Sequence, residues 1–503
     1  MSAVPRAAGS QAAAGGTPRP APADVADGVP GGGSRPAPSG GLGAAPGRGP
    51  SRAGGKLPPW RFIGAVFLLT ASEMGASMLA LPIVAHAMGM ALAAFAMIAL
   101  WALMTYTGLM MLEVCLAFPP GTEFGQIGRT LFGPRGGAAV NGVALAMLYA
   151  FSASFISAAG SAYGLDLSSY LGWRLPDWAV SIAYTAVIAF VVLSGGRRAA
   201  AANRVFFAVN LTLLAALVVS VAPSVHLENL HRSGPELAWM WAALPVFMTA
   251  YSYHTTVPTM LSYAGAASPR SLRKVFIVAN LVALVTYLVW IFVAMGALPQ
   301  KGAHSFAEVE RAGQSVGVFL RQIDAVGHNP VTPNLFNAFS STILVTTYLA
   351  TALALMDVLR GALRSHRQAR AARRPAPISP PDAAAHRTAR TAKWPALAAA
   401  WPRVARRAGL AALCFVPPLA VGLAFQGAFV QLLSFSSIFA ATLSIIFPVA
   451  ALHRLRSEGA RKAGLTLPSY RVFVFWGMYV LVFECGALLV VFQIFTMLGA
   501  LKS

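Results

Sequence analysis

Residues 64–82 read GAVFLLTASEMGASMLALP, and the middle of this apolar run, from Ala71 to Ser77, is small and polar and contains the carboxylate of Glu73. A membrane-spanning helix needs about 20 mostly apolar residues, and residues 62–86 meet that length. Lipid cannot hydrogen-bond to backbone groups, so an interruption at mid-membrane is tolerated only where it lines a cavity or is buried in protein. The segment therefore predicts a broken spanning helix next to an internal cavity.

A second interruption lies in residues 244–258, which read LPVFMTAYSYHTTVP. Its polar centre, residues 251–256, is followed closely by a proline that has no N–H to continue a helix. Paired interruptions of this kind are typical of inverted-repeat secondary transporters, in which the free N–H groups of a half-helix receive a substrate carboxylate. Close helix packing around Gly75 and Ser77 is the alternative explanation for the first interruption.

The composition of the whole chain agrees with a membrane protein. The 503 residues are 57% hydrophobic and only 11% charged, whereas soluble domains average about 25% charged residues. The sequence therefore predicts an all-α polytopic membrane protein. Spans of roughly 20 apolar residues occur about eleven times, at residues 62–86, 89–112, 137–164, 177–195, 204–223, 238–262, 275–297, 334–359, 408–425, 428–452 and 472–500.

The net charge of +22 is explained by topology. Nucleic-acid binders cluster their basic residues on a soluble face, but here Lys and Arg fall between apolar runs, so we expect no nucleic-acid partner. With the predicted spans, about 32 of these basic residues lie on the same side of the membrane as the N terminus. The positive-inside rule places the side with more Lys and Arg in the cytoplasm. The N terminus is therefore predicted to be cytoplasmic, or stromal if the host membrane is a plastid inner envelope and not a plasma membrane.

Four regions follow from this pattern. Residues 1–57 are rich in Ala, Gly, Pro and Ser and poor in acids, which predicts a disordered tail and is compatible with a transit peptide. Residues 58–359 hold helices 1–8, and residues 408–503 hold helices 9–11. Between them, residues 360–407 form a basic low-complexity insert on the cytoplasmic side, suited to contact with anionic lipid.

Two motifs resemble a known family. Residues Met74–Pro82 and the segment Phe247–Pro258 around His254 are similar to those of the aromatic (hydroxy and aromatic) amino acid permeases, within the amino acid/polyamine/organocation transporter superfamily. That family includes bacterial tyrosine- and tryptophan-specific transporters and their plant and algal relatives. The resemblance runs from about residue 60 to the C terminus, outside the insert. It implies an inverted-repeat (5+5) fold with helices 1 and 6 broken, and proton-coupled symport of aromatic amino acids.

The predicted site lies at the two interruptions. Glu73 stands where the family usually has an uncharged residue. A charge at mid-bilayer costs roughly 2.5–3.5 kcal/mol on insertion scales and marks ion or proton pathways. We therefore predict that Glu73 couples transport to protons, with a purely structural carboxylate as the alternative. The predicted substrate-binding residues are Ser72, Gly75, Ala76, Ser77, Tyr251, Ser252, Tyr253, His254 and Thr255.

Other functions remain open at this stage. The chain is alternatively a transporter of another small neutral amino acid, or a non-transporting receptor that uses its basic insert. A membrane enzyme would need convergent catalytic or metal-binding side chains at membrane depth, and the acids predicted to be buried there are only Glu73 and Glu484. The cysteines lack metal-ligand spacing, so no metal and no cofactor is predicted; they are Cys115, Cys414 and Cys485.

Overall fold

The computed structural model describes residues 55–173, 175–231, 237–265, 267–326, 331–372, 395–459, 464–465, 467–474 and 476–497. The regular elements of this described part are helices, apart from one isolated bridge between Gly55 and Ala267. The helices are α1 Pro59–Glu73, α2 Ser77–Ala85, α3 Gly89–Leu116, α4 Phe124–Leu171, α5 Asp177–Ser194, α6 Gly196–Val221, α7 Leu237–Ala250, α8 Val257–Ala264, α9 Pro269–Ala297, α10 Phe306–Arg311, α11 Val316–Val326, α12 Thr332–Ala372, α13 Pro395–Ala424, α14 Phe429–Ala441, α15 Phe447–Arg454 and α16 Trp476–Met497.

The helices confirm the prediction of an all-α polytopic membrane protein. The described residues contain eight helices long and apolar enough to cross a membrane, and a ninth if α1 and α2 count as one bent span. The α7–α8 pair and the apolar helix Ala408–Ala424 fall outside that length criterion. The count of eleven spans therefore stays a prediction.

The predicted regions map unevenly onto these helices. The predicted tail lies outside the described residues except for its last three positions, 55–57. Helix α12 continues beyond residue 359 into the predicted insert, and α13 begins within it. The central part of the insert, residues 373–394, lies outside the described residues.

The interrupted helices lie at the centre of the bundle. All residues of α2 are buried, whereas peripheral helices present large apolar side chains outward, as at Phe190 of α5 and Leu488 of α16. In a spanning protein such outward apolar faces contact lipid, because lipid tails solvate apolar side chains and not polar backbone. The polar interruptions are thereby enclosed by protein.

A proline inside α2 is accommodated by a neighbouring helix. Pro82 has no N–H, so the carbonyl of Met78, four residues earlier, lacks its usual helical donor. The indole Nε1 of Trp290 on α9 donates to this carbonyl at 2.9 Å. The Trp290 side chain thus replaces the missing backbone hydrogen bond and fixes α2 against α9.

Candidate functional site

The first interruption is a sharp bend. Helix α1 ends at Glu73, α2 begins at Ser77, and the two axes meet at 58°. The N–H of Gly75 donates to the carbonyl of Glu73 at 2.9 Å, and the N–H of Ala76 leaves the helix to donate to Thr347 Oγ1 of α12 at 2.9 Å. In the first turn of α2 the N–H groups of Met78 and Leu79 donate to the carbonyls of Gly75 and Ala76 at 3.0 Å. This end of α2 is buried inside the protein.

Gly75 is required by this close approach. A Cβ atom at position 75 would lie 2.9 Å from Thr347 Cγ2, closer than real side chains come. The glycine predicted from sequence as a binding or packing position thus serves the contact between the bend and α12.

The second interruption separates α7 from α8. Helix α7 ends at Ala250, a single 3₁₀ turn spans His254–Thr256, and α8 starts at Val257. The break frees the carbonyl of Ala250, and the hydroxyl of Tyr287 on α9 donates to it at 2.9 Å. Both predicted helix breaks are therefore confirmed.

A cavity of about 160 Å³ lies between the two interruptions. It is bounded by the bend between α1 and α2, by the break between α7 and α8, and by residues of α4, α6, α7, α12 and α14. Its lining residues are Ala71, Ser72, Glu73, Met74, Gly75, Ala76, Ser77, Met147, Leu148, Phe151, Phe155, Asn203, Phe207, Thr249, Ser252, Thr255, Thr256, Thr346, Thr347, Ala350, Thr351, Ala354 and Leu433.

Most of the predicted site residues line this cavity, but three do not. Tyr251, Tyr253 and His254 are fully buried beside it. The hydroxyl of Tyr253 donates to the carbonyl of Met104 at 3.0 Å, and His254 Nε2 lies 3.0 Å from Thr107 Oγ1. These three residues join the second interruption to its neighbours, and their role in substrate binding stays a prediction.

Glu73 is the charged group of the cavity. Its side chain is 2% exposed, and both carboxylate oxygens are buried without a hydrogen-bond partner among the described residues. It lies close enough to interact electrostatically with Tyr251 and Tyr287. A buried polar group without a partner is costly, so this carboxylate requires a proton, a cation or a ligand donor.

Hydroxyl groups form a polar wall beside Glu73. Each of them donates its hydrogen to a carbonyl of its own helix, so its oxygen faces the cavity as an acceptor only. A wall of acceptors favours donors such as an ammonium group. The hydroxyls belong to Ser72, Thr249, Ser252, Thr346, Thr347 and Thr351.

The wall that α4, α6 and α14 contribute to the cavity is largely apolar and aromatic. Phe151 and Phe155 of α4 stack with ring centroids 6.0 Å apart, and Phe207 of α6 packs edge-on against Phe67 at 4.9 Å. Sequence reasoning missed both this wall and the threonines of α12. Three threonines within six residues of an apolar span, at positions 346, 347 and 351, were the available sign.

Aromatic rings close the protein beyond the α2 end of the cavity. His86, just after α2, stacks on Phe306 at 4.3 Å and contacts Glu310 Oε1 at 2.9 Å. We call the set of rings the far-side cluster; successive members lie 4.3 to 6.3 Å apart, and they are His86, Phe306, Phe319, Phe336, Trp290 and Phe339.

The acids at membrane depth differ from the expectation in one respect. Glu484 is exposed on the surface of α16, so its predicted burial is wrong. Glu113, at the end of α3, is 1% exposed and holds Arg456 through two hydrogen bonds of 2.7 and 2.8 Å. Sequence position placed Glu113 just outside its span, and its distant partner gave no local sign. Among the described residues no group of three or more His, Cys, Asp or Glu suits a metal ion.

An all-helical bundle with a central cavity between two broken helices defines a multi-pass membrane protein of the permease class. The sequence model of the tryptophan/tyrosine permease family matches residues 60–375, and the chain belongs to that family.

Relatives of known specificity extend this match. The chain is 23% identical over 415 residues to a tyrosine-specific transport system of Haemophilus influenzae, covering 82% of this chain and 91% of the relative. It is 26% identical over 394 residues to a tryptophan-specific transport protein of Pseudomonas aeruginosa, covering 77% and 84%. A glutamine transporter of Aliivibrio fischeri is 20% identical over 299 residues, covering 59% and 74%.

Proposed function

We propose that this protein is a secondary active transporter that carries aromatic amino acids, tyrosine or tryptophan above all, in symport with protons, and that it is not an enzyme. The observation that carries the proposal is the mixed lining of the cavity, in which Glu73 and acceptor hydroxyls occur together with phenylalanine rings. An aromatic amino acid likewise combines a charged polar end with an apolar ring. The tyrosine- and tryptophan-specific relatives support this substrate class.

The bend between α1 and α2 supports a binding mode for the amino acid backbone. The N-terminal end of α2 offers the positive end of its helix dipole to a carboxylate. The acceptor hydroxyls and Glu73 suit the ammonium group. In this pose Ser72, Gly75, Ala76, Ser77, Ser252 and Thr255 surround the charged end of the substrate.

Proton coupling rests on Glu73. A zwitterionic substrate brings no net charge, so even with its ammonium group beside an ionised Glu73 the occupied low-dielectric site would keep one net negative charge. Binding of one proton removes that charge, which supports co-transport of a proton with each substrate. Alternating access would then expose the cavity to each side in turn. The far-side cluster supports access from the side on which α1 begins, which we propose to be cytoplasmic or stromal.

The test is uptake by proteoliposomes that contain the purified protein. Labelled tyrosine, tryptophan and phenylalanine are offered under an imposed pH gradient, under a sodium gradient, and with no gradient. We expect accumulation only with the pH gradient. Accumulation driven by sodium alone would contradict proton coupling, and no accumulation of any amino acid would favour a receptor.

A second candidate is transport of a small neutral amino acid such as glutamine. The similarity to a glutamine transporter favours it, as does the small cavity, because pockets for drug-sized ligands measure about 300–1,000 Å³. Labelled glutamine in the same assay separates the two substrates.

A further inference from the structure

One polar side chain lies on the apolar wall of the cavity. Among the described residues that line this wall on α4, α6 and α14, Asn203 is the polar one, and its neighbours are Phe, Met and Leu side chains. Its Oδ1 atom is buried and accepts no hydrogen bond from the described residues. Phe207 follows four residues later, about 6 Å along α6, and lines the same cavity.

The position of Asn203 is unfavourable unless a ligand satisfies it. A buried amide oxygen without a donor loses the hydrogen bonds that it makes to water in the unfolded chain. An apolar side chain at this position would avoid that cost, and the rest of the wall is apolar. An amide also offers both a donor and an acceptor, because its two ends interchange by rotation.

We propose that Asn203 hydrogen-bonds the polar atom of the substrate's ring and selects rings that carry one. The phenol hydroxyl of tyrosine and the indole N–H of tryptophan both supply such an atom, whereas the ring of phenylalanine has none. Asn203 is thus a specificity-determining residue, and the neighbouring rings of Phe151 and Phe207 hold the apolar part of the substrate. This inference rests on the proposed function, since it assumes an aromatic amino acid in the cavity.

The physical basis of the selection is the penalty for an unmatched polar group. Phenylalanine in the same pose would offer Asn203 Oδ1 no hydrogen-bond donor. Its ring would also exclude any water molecule that donates to Asn203 in the empty cavity. Sites built to hydrogen-bond a substrate hydroxyl discriminate strongly against the analogue that lacks it. Replacement of the amide by an apolar group removes this penalty. The preference for tyrosine over phenylalanine then falls mainly because phenylalanine is transported better.

The experiment compares uptake of tyrosine and phenylalanine by the wild type and by Asn203→Leu in proteoliposomes. We expect the ratio of Vmax/KM for tyrosine over phenylalanine to fall by about 10- to 100-fold in the variant, with phenylalanine uptake retained or increased. Asn210→Leu is the matched control. Asn210 lies on the same helix and is 4% exposed, its Oδ1 also lacks a partner among the described residues, and it does not line the cavity. Its variant should keep the wild-type ratio.

The outcomes separate this inference from the function on which it rests. A wild-type protein that accumulates no aromatic amino acid overturns the proposed function. A wild type that transports tyrosine, with an unchanged ratio in Asn203→Leu, overturns the role of Asn203 alone. If Asn203→Leu transports neither substrate, thermal stabilisation of the detergent-purified variant by tyrosine and by phenylalanine gives the same ratio test from binding. Equal loss of both stabilisations would also overturn the role.

Discussion

Both interrupted helices carry polar residues at the break, small ones at residues 71–77 and larger ones at residues 251–256, and the two breaks make different contacts. At the bend between α1 and α2, residues 71–77 line the cavity, and the carboxylate of Glu73 has no hydrogen-bond partner among the described residues. At the break between α7 and α8, Tyr253 and His254 turn away from the cavity and bind α3. The first interruption therefore lines the cavity with an unpartnered carboxylate, whereas the second is bonded to α3 and α9. Two polar atoms of the second, Tyr251 Oη and His254 Nδ1, also lack a hydrogen-bond partner among the described residues.

A polar break in a spanning helix can therefore do one of two things: bond to neighbouring helices, or leave a polar group available to a ligand. Freed backbone groups must be satisfied in either case. At the second break protein side chains satisfy them, as Tyr287 does for the carbonyl of Ala250. At the first break Thr347 satisfies the N–H of Ala76, while Glu73 is left for something that enters the cavity. Four substitutions test this contrast, and they are given from the largest expected effect to the smallest.

The largest effect is expected at Gly108, which fastens the second break. A Cβ atom there would overlap the hydroxyl of Tyr253, a fully buried ring with no room to shift. Overpacking of this kind costs about 1–3 kcal/mol or more, so Gly108→Val should lose most folded protein, as measured by fluorescence-detected size-exclusion chromatography. Gly142→Ala is the control, because no atom lies within 4 Å of its added Cβ. A normal yield of Gly108→Val would show that the second break is not held rigidly.

The next largest effect concerns Glu73. The variant Glu73→Gln keeps the shape of the side chain but cannot ionise, so proton-driven accumulation should fall by about tenfold or more. Uptake with a pH gradient should then equal uptake without one. Glu484→Gln, which changes an exposed acid on α16, should behave as the wild type. Persistent dependence on the pH gradient in Glu73→Gln would contradict proton coupling through this carboxylate.

A smaller effect is expected at Thr347. The variant Thr347→Val leaves the N–H of Ala76 without its acceptor, and an unsatisfied buried donor costs about 1–3 kcal/mol. The substrate-free protein should melt at a lower temperature, and substrate should restore stability more strongly than in the wild type, because its carboxylate supplies the missing acceptor. Thr347→Ser keeps the hydroxyl and should resemble the wild type. Equal ligand stabilisation of Thr347→Val and the wild type would place the carboxylate elsewhere.

The smallest effect is expected at Thr107, the partner of His254. Thr107→Val removes the two buried hydrogen bonds of Thr107 Oγ1, with His254 and with the carbonyl of Met104. Each is worth about 1 kcal/mol, and thermal unfolding measures the loss. The KM for substrate should change less than about twofold, because His254 does not line the cavity. Thr107→Ser is the matched control. A large rise in KM with an unchanged melting temperature would show that His254 contributes to substrate binding.

The sequence predicted the helical class and both interruptions, because they depend on local features: apolar length, small and polar residues in its middle, and proline. It also identified the first-break residues that line the cavity, since consecutive residues of one bend share one location. The remaining wall was not predictable in this way. Phe207 and Thr347 meet the bend only through the packing of α6 and α12, and no spacing rule relates them to Glu73.

The same reason explains the errors at the two acids. Glu484 lies in a strongly apolar span, which suggested burial, but the helix faces it outward. Glu113 is buried because Arg456, far away in the chain, and the N–H of Val472 both donate to it. A single sequence shows the depth of a residue in its span but not the direction in which it points.

The far-side cluster also has a consequence for energy conservation. A titratable carboxylate in the middle of a membrane can accept a proton from water on one side and release it to water on the other. If water reached it from both sides at once, protons would leak across and dissipate the proton gradient. On that side of the cavity, rings with centroids 4.3 to 6.3 Å apart pack in a continuous series from His86 to Trp290. Under the proposed function, this packed series would insulate Glu73 from that face of the membrane, and its rings would have to separate before substrate and proton could leave there.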